Sequence, residues 1–381
     1  MDRRSLQRQV SITQRGFLRE FLDDLDAPRA RLVRDVFNGM RCSGSLLLTE
    51  ISRKLQEPIA LLYRVKRLSR GLAGPRFDVA CDRIAWRLVG RACAGISRNA
   101  IVAVDISDLA KPYARRMEGL CRVWDGSSKA TSMGYWLYEA YHVDAQSQPH
   151  ILQWRPYSTR TVDFLSENSE FLVGLYDLME TLGGRGVLVM DRGTDRREIM
   201  KELLEYDQQW IIRQVGNRDL VDQWGQVKLA EEWARGMVCG ARGPVGMMAW
   251  LPGLPEQLWF VAAASWDDDA KPLMLLCRLR GFKDMASRAV GMYRKRWRAE
   301  DAMRAAKQGL KLEGFLVRSM FGIRGLITIA SLVVAFACEL VAGRPGLCRE
   351  FLAMPQRLPK AVKVLLLPVI TAIMRLGGPA P

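Results

Sequence analysis

Two short apolar runs constrain this chain more than any other feature in it. Ile101-Val-Ala-Val104 and Gly186-Val-Leu-Val-Met190 are too short for buried helices, and each runs directly into an aspartate, Asp105 and Asp191. A strand that is apolar throughout is buried on both faces, so helices must cover the sheet that holds it. Open α/β sheets place their ligand sites at the carboxyl edge of the strands. If these two strands are neighbours, Asp105 and Asp191 converge there. A strand-end aspartate is also often only a cap of the next turn or helix, and Asp108, Asp125, Asp163 and Asp195 compete as acids in similar settings.

The surrounding pattern predicts an α/β chain behind an all-helical front. Residues 1–98 show helical spacing and no strand alternation. Leu48-Thr-Glu-Ile-Ser-Arg-Lys-Leu55 reads as a short amphipathic helix, Gln56-Glu-Pro58 breaks it, and residues 59–70 form a second helix, basic on one side. The pair has the look of a helix-turn-helix near 48–70, with Arg64, Lys66, Arg67 and Arg70 as phosphate or base contacts. An ordinary helical hairpin has the same look. Beyond residue 99 the spacing predicts strands at 101–104, 134–143, 151–154, 186–190 and 210–213. Between them lies a helix carrying Leu165, Leu172, Leu175 and Leu178, and Asp195 with Glu198 suggests a capping box for a helix to Tyr206. Residues 217–280, with five Trp, many Gly and short β-like runs, read as a β-rich insertion. The core resumes at 281–342 with an apolar helix near 323–340, and residues 343–381 read as a C-terminal helical region with Pro368 ending or kinking a helix over 359–374.

A third acid sits in an unusual neighbourhood. Residues 292–307 read as a helix, and at about 100° per residue Tyr293, Arg296, Glu300 and Lys307 fall within about 60° of arc, along about 21 Å of helix. Ala299, Ala302, Ala306 and Leu310 form another side, small enough for close packing on a sheet. A charge stripe is commonly a solvated face. A lone carboxylate among cations is also what a site holding a metal and a polyanion together requires. Asp105, Asp191 and Glu300, if brought together, would repel without a divalent cation, and hard oxygen ligands select Mg²⁺ or Mn²⁺. A pair of such ions suits in-line phosphoryl displacement.

Charge supports a polyanionic partner. The chain has 57 Lys+Arg against 41 Asp+Glu, a net +16, and residues 1–100 alone hold 20 basic and 10 acidic residues, hence +10. Such an excess favours nucleic acid or an anionic surface. The eight Cys show no CxxC spacing and the only histidines are His142 and His150, so zinc and a disulfide framework are not expected and reduced, buried thiols are. The N-terminus carries no signal-peptide pattern, and the longest uncharged run, residues 325–338, is too short to span a bilayer. The expectation is a cytoplasmic protein with no membrane partner.

On these residues the chain resembles the DDE transposases of bacterial insertion sequences, in the branch with a Tyr-x2-Arg-x3-Glu-x6-Lys signature. Tyr293, Arg296, Glu300 and Lys307 fit that spacing throughout. Val104-Asp-Ile-Ser-Asp-Leu-Ala-Lys111 looks like the first-Asp region and Val189-Met-Asp-Arg-Gly193 like the second; Ile106-Ser107 stand where a Thr often follows the first Asp. The resemblance covers residues 101–336. It implies a ribonuclease H-like core with a β insertion between the second Asp and the Glu. It implies that Asp105, Asp191 and Glu300 bind the metal ions, and that Tyr293, Arg296 and Lys307 hold DNA phosphates. It also implies that an aromatic, one of Trp266, Trp297 and Tyr293, can stack on a flipped base. The partners implied are the inverted-repeat DNA ends, target DNA and a second protomer in a synaptic dimer. A ribonuclease H-like nuclease without strand transfer and a non-catalytic DNA-binding repressor are the alternatives to a transposase.

Overall fold

The computed structural model describes residues 3–126, 129–265, 271–353 and 369–370. Five helices come first: α1 (Arg3–Leu22), α2 (Ala27–Ser43), α3 (Leu48–Arg53), α4 (Leu61–Leu72) and α5 (Pro75–Cys93). Their caps follow from sequence. Asp26 accepts the Arg29 N–H at the start of α2, and Gly44 ends that helix in the left-handed conformation at φ 62°. The expected helix pair is α3 and α4, joined by residues 54–60, with α2 packed across both.

A mixed sheet then begins. β1 (Ile101–Ala110), β3 (Ala130–Val143) and β4 (Pro149–Tyr157) run antiparallel in turn, with β2 (Cys121–Asp125) against the first part of β3. β5 (Val187–Met190) lies parallel to β1, and β6 (Gln209–Arg213) parallel to β5. The order β4-β3-β1-β5-β6 is the ribonuclease H-like arrangement. The crossover from β4 to β5 carries α6 (Glu167–Leu182), capped by Ser166, and that from β5 to β6 carries α7 (Arg197–Glu205). Short parallel strands need such crossovers, because a hairpin cannot return the chain in the same direction.

Several expectations shift here. β1 runs on to Ala110, so Asp105 lies mid-strand rather than at its end; only the pairing with β5 stops at Val104. β2 was not foreseen, being short and interrupted by charge. α7 has no side-chain cap, and Asp195 instead accepts from the Val215 N–H and from Arg218 Nε at 2.9 and 2.7 Å. Leu165 precedes α6 and is exposed. The strands within residues 217–280 join the main sheet. β7 (Asp219–Val221), β8 (Val227–Leu229), β9 (Val245–Trp250), β10 (Gln257–Ala263) and β11 (Leu273–Arg278) extend the same sheet outward from β6, with α8 (Ala230–Val238) on one side.

Helices α9 (Met285–Lys295), α10 (Trp297–Gly309), α11 (Met320–Gly343) and α12 (Pro345–Ala353) follow. The expected single helix over 292–307 breaks into α9 and α10 at Arg296, whose N–H bonds the Tyr293 carbonyl three residues back at 3.0 Å. Such a tightened turn tilts one segment against the next. α11 is 24 residues long with a mean hydropathy of 2.2 over its apolar stretch, long and apolar enough to cross a membrane, and the uncharged run at 325–338 is only part of it. That stretch is 83% buried inside the protein, as a core helix is. Its neighbours are α2, α5 and β4, so the helical front shares one hydrophobic core with the sheet. Ion pairs from Arg324 to Asp78 and Asp82, and from Arg91 to Glu339, reinforce that seam. Among the described residues no cysteine forms a disulfide, and seven of the eight are buried. The expected helix over 359–374 lies outside the described residues, apart from Val369 and Ile370.

Candidate active site

The sheet brings the two aspartates together by register. Val104 pairs with Met190 as the last residues of the β1–β5 ladder, so Asp105 and Asp191 are the next residue on each strand. Alternation then sets their direction. Ile101 and Ala103, and likewise Val187 and Val189, pack under α9, α10 and α11, and Asp105 and Asp191 share that parity. α10 presents Glu300 from above, held to the sheet by the buried Ala299, Ala302, Ala305 and Ala306. Small side chains let a helix approach a sheet closely, which is the role their pattern suggested.

At the centre stands Arg296. Its Nη1 donates to Asp105 Oδ2 at 2.7 Å, its Nη2 to Glu300 Oε1 at 2.7 Å, and Nη2 lies 3.8 Å from Asp191 Oδ2. Tyr293 completes the ring, its hydroxyl donating to Asp191 Oδ1 at 2.8 Å. Arg296 faces the same way as Glu300 but is only 2% exposed, and as placed it is engaged by carboxylates rather than open to a phosphate. Its dihedrals stay helical (φ −54°, ψ −34°), and its place one turn before Glu300 on the same stripe sets it against the carboxylates. Tyr293 is buried too, and as placed its ring is not free to stack on a base.

Electrostatics follow from that geometry. Burial pushes the Asp105 carboxyl up to about 6, with Arg296 opposing the shift. Burial also acts to raise Asp191, but Arg296, the Arg192 N–H, the Tyr293 hydroxyl and Arg213 outweigh it and leave Asp191 below its usual range. Arg296 loses hydration by burial, yet Asp105 and Asp191 hold it firmly charged.

Further along the stripe, Lys307 Nζ lies 2.9 Å from Glu313 and 3.4 Å from Asp108. Asp108, weighed only as a competing acid, thus anchors the signature lysine. Burial works to lower Lys307, but Glu313 and Asp108 raise it overall. Trp297, at the start of α10, is half exposed, whereas Trp266 falls outside the described residues. In the helical pair, Arg67 is spent on Asp35 and Glu57 at 2.8 and 2.9 Å, and Arg64 donates to the Leu55 carbonyl. Lys66 and Arg70 remain exposed on α4.

Three residues near the site were not foreseen. Arg213, at the end of β6, lies 3.8 Å from Asp191. Its signal was present, since it follows an apolar strand as both aspartates do. Glu139 pairs with Asp105 across β1 and β3, is fully buried, and accepts from Tyr141 at 3.1 Å. Burial raises its carboxyl well above the usual range. A lone acid in an aromatic strand gives no sequence signal. Lys111 Nζ, 3.5 Å from the centroid of the Phe315 ring, ties the end of β1 to the segment after α10 through the Glu313 and Phe315 carbonyls.

Residues 166–336 match the family model described as the transposase DDE domain. The match takes in Asp191, Tyr293, Arg296, Glu300 and Lys307, and starts beyond Asp105. No curated protein matches the chain. Among solved structures, the piggyBac transposase synaptic complex with hairpin DNA is similar at 14% identity and a TM-score of 0.48, over 92% of this chain and 70% of that one.

The donor set can be tested against the metal that such a domain implies. Among the described residues no three acidic, histidine or cysteine side chains stand close enough to hold an ion as they are. The guanidinium keeps the three carboxylates apart, and it is itself a stand-in cation: a positive centre ringed by hard oxygens. Donor type and arrangement fit a hard divalent ion, on condition that Arg296 withdraws.

Proposed function

We propose that the protein is a DNA transposase of the bacterial insertion-sequence type with the Tyr-x2-Arg-x3-Glu-x6-Lys signature. The observation that carries this reading is the gathering of Asp105, Asp191 and Glu300 around one cation, within a segment that largely matches a transposase DDE domain. In this reading the three carboxylates hold two divalent ions, Mg²⁺ or Mn²⁺. Bound there, such ions make an oxygen nucleophile available and stabilise the leaving oxygen in an in-line displacement at phosphorus.

The chain's own groups do the positioning. Tyr293 fixes the rotamer of Asp191 by its hydrogen bond. Arg213 and the released Arg296 meet the phosphate beside the scissile bond, where a guanidinium donates in bidentate fashion. Lys307, anchored by Asp108 and Glu313, holds the next phosphate as a point charge. Exposed Trp297 offers a face for a displaced base. Lys66 and Arg70 on α4 contact the inverted-repeat ends, and two protomers each hold one end. The protein works in the bacterial cytoplasm, on the nucleoid.

The test is incubation of the full-length protein with DNA carrying the inverted repeats that bracket its reading frame. Mg²⁺-dependent nicks with free 3′-hydroxyls, followed by their joining to a target plasmid, are expected. Cutting without joining indicates a nuclease, and binding without cutting a repressor.

A further inference from the structure

A cleft of about 1090 Å³ separates α1 from α2, in the helical front and away from the carboxylates. Four exposed arginines, Arg8, Arg15, Arg19 and Arg34, stand along it, with Asp23 as the one acid among its lining residues. Asp23 lies 3.8 Å from Arg19, which leaves the other cations without an acidic partner among the described residues. Lower in the cleft is Arg41, in the last turn of α2 and only 3% exposed. No carboxylate among the described residues pairs with it, and its Nε is sealed from water without an acceptor. Burial holds its guanidinium below the usual value, with nothing stronger than Cys42 to offset it.

A buried, unpaired guanidinium is costly, and proteins keep charges inside only when a partner meets them. Here no carboxylate partner stands among the described residues, and the cleft opens onto the charge. We propose that this cleft is a binding site for a terminal phosphate, carried either by a nucleotide or by the end of a DNA strand. Arg–phosphate pairing supplies the specificity. The depth of Arg41 decides against the middle of a duplex, whose phosphates lie on a convex surface and reach the rim arginines but not the floor. Leu18, Leu22 and Ala30 line the same cleft and give an apolar surface for a base or sugar. Gln14 and Asn38, hydrogen-bonded to each other on the wall, add polar groups, and the Gln14 Oε1 has no donor of its own. The site does not depend on the carboxylate cluster or on the reading drawn from it.

The test is titration calorimetry of the full-length protein with AMP against adenosine, and with a 5′-phosphorylated oligonucleotide against its 5′-hydroxyl counterpart. Each phosphate-bearing probe that fits should bind at least tenfold more tightly than its partner without the phosphate. Arg41→Met should abolish that preference and raise the melting temperature of the ligand-free protein, because an uncompensated buried charge is gone. Arg34→Gln, on the rim and free of core packing, should weaken binding severalfold, and it keeps the test decisive if Arg41→Met folds poorly. Arg242→Ala, an exposed arginine elsewhere, should change nothing. A preference shown by AMP identifies a nucleotide site; one confined to the oligonucleotide identifies a strand-end site. Equal binding of probes with and without phosphate, or wild-type binding by both Arg41→Met and Arg34→Gln, would overturn the proposal.

Discussion

Arg296 donates to Asp105 across 2.7 Å, and the same guanidinium bridges to Glu300 at 2.7 Å. A cation that satisfies two carboxylates and lies 3.8 Å from a third competes with any metal for them. On the proposed reading, a metal ion would enter as Arg296 leaves, and a DNA phosphate would be the partner that draws the arginine away. Arg296→Gln should bind Mn²⁺ without DNA at least about tenfold more tightly than the wild type, equivalent to about 1.4 kcal/mol. In metal-free buffer it should be less stable by roughly 3 kcal/mol, because the clustered carboxylates lose their counter-charge, and Mn²⁺ should restore the loss. Paramagnetic resonance of free Mn²⁺ and thermal unfolding measure the two effects. Equal Mn²⁺ affinities would contradict this coupling.

Lys307 is predicted to matter for position as much as for charge. Its ammonium joins Asp108 on β1 to Glu313 after α10. Lys307→Ala leaves two partly buried acids facing each other and should cost about 1–3 kcal/mol. In a double-mutant cycle, Lys307→Ala and Asp108→Asn should couple by at least about 0.5 kcal/mol. Additive effects would mean that the ammonium is free for another partner.

The fold class, the two aspartates and the signature helix were legible because each rests on local periodicity: apolar strand then acid, or a stripe at helical spacing. What Arg296 faces was not legible. An ideal helix puts it on one stripe with Glu300, where it stays, but helical spacing does not say that β1 and β5 bring Asp105 and Asp191 against the same guanidinium. Arg67 failed for a related reason. Its charge suggested DNA, yet Asp35 reaches it because α2 folds back across α4, and Glu57 reaches it from the connection between α3 and α4. The extension of the sheet through β7 to β11 was hidden as well, since which strand pairs with β6 is a long-range choice that short β-like runs do not encode.

Gly39 tests the packing of the helical front. A Cβ there would stand 2.4 Å from Ile51 Cγ2 and 2.8 Å from the Ile51 carbonyl oxygen. Gly39→Ala should therefore destabilise by about 1–3 kcal/mol, although alanine favours helices. Gly16→Ala, where a Cβ meets open space in α1, should stabilise by up to about 1 kcal/mol. Urea unfolding separates the two, and equal effects would contradict the close crossing of α2 and α3.

Lys111 gives a pH dependence. Burial pulls its ammonium down to about 8, with Glu313 opposing, while an unfolded lysine titrates near 10.4. Between about pH 8 and 10 the unfolded chain keeps a proton that the folded chain has released, so this residue's contribution to stability rises with pH across that window. The unfolding free energy of the wild type relative to Lys111→Met should shift in the wild type's favour by about 2 kcal/mol from about pH 7.5 to 9.5. A flat difference would show that the carbonyls of Glu313 and Phe315 hold the lysine charged throughout.

The central claim is that Asp105, Asp191 and Glu300 form one catalytic group. Its most direct measurement is single-turnover cleavage of inverted-repeat end DNA in Mg²⁺ by the wild type, Asp105→Asn, Asp191→Asn and Glu300→Gln, with end binding followed in parallel. Each substitution keeps the shape and removes a ligand charge. Cleavage should fall below detection in all three variants while end binding stays within about threefold of wild type, a difference of about 0.7 kcal/mol. Mg²⁺-dependent cutting that persists in any one of them would contradict the claim.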